Sequence, residues 1–148
     1  MARNGKLYIS HAAEDDAQVE PFLNVLDAKT VDVWYEPTPA AVTNGLEPEA
    51  LQQLDERDVF VRVLSPRTAA SRRMALELAE FERLRQIDAQ AGNPLRRTII
   101  NLIVDPAYER QPSDTGMTIN LATMPESAWL PSLVAEAGKH RISSTRMN

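Results

Sequence analysis

The sequence predicts an α/β domain, a mostly parallel sheet with helices on both faces. Short β-prone runs alternate with helix-patterned stretches about five times along the 148 residues, the order that builds parallel sheets through crossover connections. One late run, Thr98 to Val104, is nearly continuous in β-branched residues, as a strand buried on both faces requires. The length, with 43% hydrophobic and 25% charged residues, suits a single core that closes without staples.

Lys6-Leu7-Tyr8-Ile9-Ser10 is the first strand, and it stops at the polar run His11 to Asp16. Val19, Phe22, Leu23 and Leu26 then recur at helical spacing, with Asp15 or Asp16 placed to cap the helix start. Val31 to Tyr35 is a second strand. The stretch 36–46 holds Pro37, Pro39 and Asn44-Gly45 and is a loop. Pro48 opens the next helix, with Leu46, Ala50, Leu51 and Leu54 on one side. Asp58 to Leu64 is the strongest strand, ended by Ser65-Pro66. The longest helix runs from Ser71 to about Ala89, with Met74, Leu78, Phe81 and Leu84 as its stripe, and Gly92-Asn93-Pro94 stops it. After the Thr98–Val104 strand, Asp105-Pro106 begins a loop that reaches Gly116, and Met117 to Ala122 is a fifth short strand. A last helix shows Leu130, Leu133, Val134 and Ala137 in register, with Gly138 as its C′ residue. The domain is therefore placed at 1–138, and the polar residues 139–148 read as a frayed end or the start of a linker.

Composition excludes much. The absence of cysteine removes disulfides, thiolate nucleophiles and cysteine-bound zinc. His11 and His140 are too few for a histidine metal site, and no metal is expected. The five glycines are too scattered for a dinucleotide or P-loop turn. A net charge of −5 argues against direct nucleic-acid binding. No apolar run approaches a membrane span and no signal-peptide core is visible, so a soluble, cytoplasmic protein is expected.

Ligands of such folds collect beyond the C-terminal strand ends, here at Ser10-His11, 34–45, 65–73 and after Asp105. Stepping about 100° per residue from Met74, Leu78 falls at about 40°, Phe81 at about −20°, Leu84 at about −80° and Glu77 at about −60°. Glu77 thus sits inside an apolar stripe, where a carboxylate is costly unless paired, at an edge or used. An ion pair with Arg73 four residues before, or escape into solvent, is the structural reading; a functional carboxylate is the other. A lone histidine such as His11 is more often a turn or helix-capping residue, and Trp34-Tyr35 is most simply strand packing. The acidic run 14–16 is reminiscent of the magnesium site of response-regulator receivers, but Leu64-Ser65-Pro66 offers no phosphoacceptor aspartate. No G-x-S-x-G elbow exists, and Ser10 and His11, neighbours on a strand, point to opposite faces and form no dyad.

Several of these pieces together resemble the TIR (Toll/interleukin-1 receptor) domain, in its bacterial and plant-like form. Ile9-Ser10-His11-Ala12-Ala13-Glu14-Asp15 is similar to the family's first box, and Val33-Trp34-Tyr35-Glu36 to its second strand. Asn44-Gly45 resembles the turn of the following BB loop. Val61 to Pro66 is similar to V-V-L-S-P, and Ser71 to Leu78 falls on S-x-W-C-x-x-E-L, which places Glu77 on the family's glutamate. The resemblance covers roughly residues 5–137 and implies a flavodoxin-like three-layer fold with a central five-stranded sheet.

In enzymatic members the matching glutamate is catalytic in cleaving NAD+ between nicotinamide and ribose. The resemblance therefore implies an NAD+ nucleosidase with Glu77 as catalytic residue. Ser10, His11, Trp34, Asn44, Gly45, Ser71 and Arg73 would be substrate-binding, and NAD+ would be the substrate with no resident cofactor. It further implies activation by self-association through TIR–TIR contacts that include the 36–46 loop. The setting would be bacterial antiviral defence, with a sensor domain or subunit supplying the trigger. Arg73-Met74 replaces the family's W-C pair. Arg73 would either contact the pyrophosphate or neutralise Glu77 and leave a non-catalytic TIR scaffold that signals through TIR–TIR contacts. Pro37-Thr38-Pro39 stiffens the start of the loop.

Overall fold

The computed structural model describes residues 6–28, 32–36, 45–94 and 96–146. Five strands, β1 (Lys6–Ser10), β2 (Asp32–Trp34), β3 (Val59–Leu64), β4 (Thr98–Ile103) and β5 (Met117–Asn120), form one sheet in the order β2-β1-β3-β4-β5. Every pairing is parallel. The helices are α1 (Asp16–Ala28), α2 (Pro48–Glu56), α3 (Arg72–Gln90) and α4 (Glu126–Arg146), with 3-10 turns at Ala13–Asp15 and Thr68–Ala70. This is the expected flavodoxin-like order, in which the strand order reverses between β1 and β3 while every strand keeps the same direction.

Period-two alternation sorts the strand side chains into two cores. Leu7 and Ile9 of β1, Val59, Val61 and Val63 of β3, and Ile100 and Leu102 of β4 face Val19, Phe22 and Leu26 of α1 and Trp129 and Leu133 of α4. The intervening residues Tyr8 and Phe60 face Leu54 of α2 and Phe81 and Leu84 of α3. Phe60 lies between the rings of Tyr8 and Phe81, at centroid distances of 5.9 and 5.1 Å. The middle of β1 and all of β3 but Arg62 are apolar because both faces are covered.

At the N-terminal edge of the sheet, Arg97 does the capping that no residue of α2 does. Its guanidinium donates to the Leu54, Asp55 and Arg57 carbonyls at 2.9, 2.9 and 3.2 Å and to the Asp88 carboxylate at 2.6 Å. The last carbonyls of a helix lack partners within it, and a buried arginine supplies them here.

Two expectations concern helix ends. The carboxylates of Asp15 and Asp16, at the start of α1, meet side chains outside that helix. Asp15 is buried and accepts from the Ser65 hydroxyl at 2.5 Å and Arg67 at 2.6 Å, while Asp16 is the first helical residue and meets His11 at 2.7 Å. Gly138 does not end the last helix, which continues to Arg146. Among the described side chains of α4, Trp129 and Leu133 are buried and Leu130 packs partly against the same core, with Trp129 tilted against Phe22 at 5.1 Å; Ala137 of the expected set lies outside the described side chains. No helix among the described residues is long and apolar enough to cross a membrane.

Candidate active site

The same alternation that builds the second core carries Tyr8 and Ser10 to one face of β1, and α3 crosses that face in its first two turns. Ser71 starts the helix as its N-cap, its hydroxyl accepting from the Met74 N–H at 3.2 Å. Glu77 then lies directly over β1. Its Oε1 accepts from the Ser10 hydroxyl at 2.6 Å and its Oε2 from the Tyr8 hydroxyl at 2.5 Å. Arg73, one turn earlier, brings Nε to 3.3 Å from Oε2. The carboxylate is only 3% exposed. The apolar stripe thus does contain a buried Glu77, and it does not escape into solvent.

Burial pushes the Glu77 carboxyl above its ordinary value, and the Ser10 and Tyr8 hydroxyls and the Arg73 cation work against that push. The Tyr8 hydroxyl is raised by its own burial and then by the adjacent Glu77 charge. Arg73, 6% exposed, also meets Glu47, the residue preceding α2, through Nη1 at 3.1 Å and through Nη2, and Glu36 through Nη2 at 3.5 Å. Burial disfavours its charge, but Glu47 and Glu77 outweigh that cost and hold the guanidinium protonated. Hydrogen bonding from Arg73 in turn lowers the Glu47 carboxyl.

His11, the residue just past the end of β1, packs between α1 and Tyr35 and still borders the Glu77 cleft. Its Nε2 lies 2.7 Å from Asp16 Oδ1, which also accepts from the Tyr35 hydroxyl, and its ring stacks on Tyr35 at 4.6 Å. Burial lowers its pKa and the Asp16 contact opposes this, so a neutral imidazole is favoured.

Tyr8, His11, Trp34, Glu36, Arg73 and Glu77 face a common cleft of about 10 Å³. That is room for about one water. The structure therefore gathers Ser10, His11, Trp34, Arg73 and Glu77 of the expected set. Ser71 serves as the helix cap rather than facing the cleft. Gly45 is exposed with φ +124°, a left-handed conformation that favours glycine, and is not among the cleft residues. Asn44 lies outside the described residues, as does 37–44 of the 36–46 loop. Tyr8 was not singled out from sequence, although its place two residues before Ser10 on a strand puts both hydroxyls on one face. Among the described residues no cluster of acidic or histidine side chains could hold a metal ion.

Beside the cleft, the C-terminal strand ends are tied together by charge. Arg67 bridges Asp15 and Asp105, the latter at 2.9 Å, so the ends of β1, β3 and β4 share one network. Ser65 occupies the place after β3 and donates to Asp15, which accounts for that acidic residue without a metal. A roomier cleft of about 340 Å³ lies between the second half of α3 and the β4–β5 edge, lined by residues such as Leu78, Arg85, Asn101 and Gly116. It does not include Glu77.

The TIR domain family model matches residues 7–129. No curated protein matches the chain. Among solved structures it is similar to the TIR domains of the activated Roq1 resistosome directly recognizing the pathogen effector XopQ. The TM-score is 0.53 and the identity 17%, over 68% of this chain and 58% of that one. The likeness spans less than two thirds of that protein chain and concerns the fold. With the family model covering both the strand that supplies Tyr8 and Ser10 and the helix that supplies Glu77, this chain belongs to the TIR domain family.

Proposed function

We propose that this domain is an NAD+ nucleosidase that cleaves the bond between nicotinamide and ribose, with Glu77 as the catalytic residue. The observation that carries the reading is the environment of Glu77: a residue 3% exposed, over the C-terminal half of β1, with a hydroxyl donor on each carboxylate oxygen. Ligands of parallel α/β sheets bind at the C-terminal strand ends. In NAD+ the nicotinamide is a cationic pyridinium and leaves as a neutral molecule, so no general acid is needed. As the C1′–N bond breaks, its electron pair goes to the ring nitrogen and positive charge develops on the ribosyl carbon. A fixed carboxylate stabilises that oxocarbenium-like centre and accepts from the ribose hydroxyls. Water attack at C1′, with loss of its proton, gives ADP-ribose; attack by a group of the same molecule gives a cyclic isomer. Low local dielectric strengthens the interaction, and the Tyr8 and Ser10 hydroxyls fix the carboxylate beforehand.

The cleft of about 10 Å³ admits no dinucleotide as it stands. This supports the further reading that copies of the domain must assemble before turnover, with the 36–46 loop at the contact. The resistosome likeness is consistent with such an assembly. The setting we propose is antiviral defence in the cytoplasm of a bacterium, with a sensor domain or subunit supplying the trigger. One observation favours a second reading, a TIR scaffold without catalysis: Arg73 lies against Glu77 at 3.3 Å and partly neutralises it.

The deciding experiment measures NAD+ loss and nicotinamide release by concentrated or artificially clustered protein beside Glu77→Ala. Turnover lost in the variant supports the nucleosidase. Equal inactivity of both under clustering turns the assignment to the scaffold.

A further inference from the structure

Arg73 lies one helical turn before Glu77 and is almost wholly buried. Its guanidinium has two working edges. Nε faces Glu77 at 3.3 Å, whereas Nη1 and Nη2 face Glu47 and Glu36. The two kinds of partner differ in burial: Glu77 is 3% exposed, and the side chains of Glu36 and Glu47 are 43% and 42% exposed. Among the described residues facing the cleft, Arg73 is also the only arginine or lysine.

Two half-exposed carboxylates gathered on the fork of one buried guanidinium present the pattern that a diphosphate presents, two adjacent anionic groups with paired oxygens. Planar guanidinium forks recognise both classes of oxyanion in the same bidentate manner. Glu36 and Glu47 lie at the water side and can leave without exposing either core. In NAD+ a single ribose separates the diphosphate from the scissile bond. A diphosphate on the Nη edge would therefore sit one sugar away from Glu77 on the Nε edge.

From this geometry, and resting on the NAD+ reading above, we propose that Arg73 is the diphosphate-recognition residue of the site. Glu36 and Glu47 are its internal competitors, carboxylates that hold the anion position until the substrate displaces them. They then set substrate affinity by how firmly they hold Arg73, and the tight cleft is the occupied form of the anion position.

The test is calorimetric titration with ADP, which carries the diphosphate but no scissile nicotinamide bond, so that binding is read apart from cleavage. The wild type is compared with Glu36→Gln/Glu47→Gln, with Arg73→Lys and with the triple variant. Half-exposed ion pairs are each worth a factor of about 1.4–5, so the double glutamine variant is expected to bind ADP about 2–25-fold more tightly. Arg73→Lys keeps the charge but loses the fork, and is expected to bind ADP more weakly and to cancel the gain in the triple variant. Circular dichroism and thermal melts check that the lysine variant folds. The glutamine variant alters only half-exposed positions and keeps the inference testable if the lysine variant does not fold. ADP affinity equal in wild type and glutamine variant, or no ADP binding in any protein, overturns the inference. NAD+ cleavage with a KM indifferent to all three positions overturns it while leaving the nucleosidase standing. The expected ADP pattern without any cleavage leaves Arg73 assigned and refutes the nucleosidase instead.

Discussion

Replacing Tyr8 by phenylalanine removes one oxygen and little else. The ring keeps its place against Phe60, 5.9 Å away and nearly parallel at 4°, so packing is unchanged to first order. The loss is the 2.5 Å bond to Glu77 Oε2. Hydrogen bonds to charged groups contribute about 1.5–3 kcal/mol. Arg73 remains at 3.3 Å from the same oxygen, so the carboxylate is not orphaned and about 2 kcal/mol is the expected cost near neutral pH. For a domain of this length that lowers Tm by about 4–8 °C. The cost depends on pH in a definite direction. Burial already raises the Glu77 carboxyl, and the tyrosine bond opposes it; Tyr8→Phe therefore raises it further. In the interval between the ordinary carboxylate value and the raised one, folded Glu77 binds more protons than unfolded Glu77. Stability then falls as pH rises through that interval, more in the variant than in the wild type. Below the interval both states are protonated, and the gap shrinks towards the ~1 kcal/mol of a neutral hydrogen bond. Thermal melts followed by circular dichroism from about pH 4 to about pH 8 span the ordinary carboxylate range and neutrality. Equal Tm at every pH, or a gap that narrows as pH rises, would refute the hydroxyl–carboxylate reasoning.

Further consequences concern the cores and the pH profile. Trp129→Ala empties the contact with Phe22 and is expected to cost about 3–5 kcal/mol in urea unfolding; a loss under about 1 kcal/mol would mean that α4 is not docked there. Arg97→Ala strips the Leu54, Asp55 and Arg57 carbonyls and the Asp88 carboxylate of a shared donor, for an expected loss of about 3 kcal/mol. Because Arg97 lies at the sheet edge opposite Glu77, any NAD+ turnover per folded molecule should survive that change. The cleavage reaction we propose needs Glu77 ionised, so on that reading activity falls on acidification at a pH above the ordinary carboxylate value. Ser10→Ala, which removes a bond that favours the charged form, should move that fall to still higher pH. Turnover that rises with acid would show that Glu77 does not act as a carboxylate.

The parallel sheet was legible in the chain because its cause is local. Residues 6–10, 59–64 and 98–103 are β-prone at nearly every position, and helix-spaced residues such as Val19, Phe22 and Leu26 fall between them. Glu77 was legible as an anomaly for the same reason, a carboxylate at a helical position whose neighbours on the wheel are apolar. Its partner Tyr8 was written in the period of β1 but looked like one more core aromatic, since strand alternation states which face a residue takes and not what waits there. Asp15 looked like a helix cap until Ser65 and Arg67, some fifty residues away, claimed it. Gly138 carries the signal of a helix stop, yet a glycine inside a helix costs only about 1 kcal/mol, and α4 runs through it to Arg146. The sequence by itself determined the order of elements and which residues are out of place in them, because periodicity and propensity act over a few neighbours. Only the tertiary structure decided which distant groups meet them: that Glu77 lies under two hydroxyls from β1, and that Arg73 is shared with Glu36 and Glu47. Those contacts depend on how α3 crosses β1, and that crossing is set by the packing of Phe60, Phe81 and Leu84.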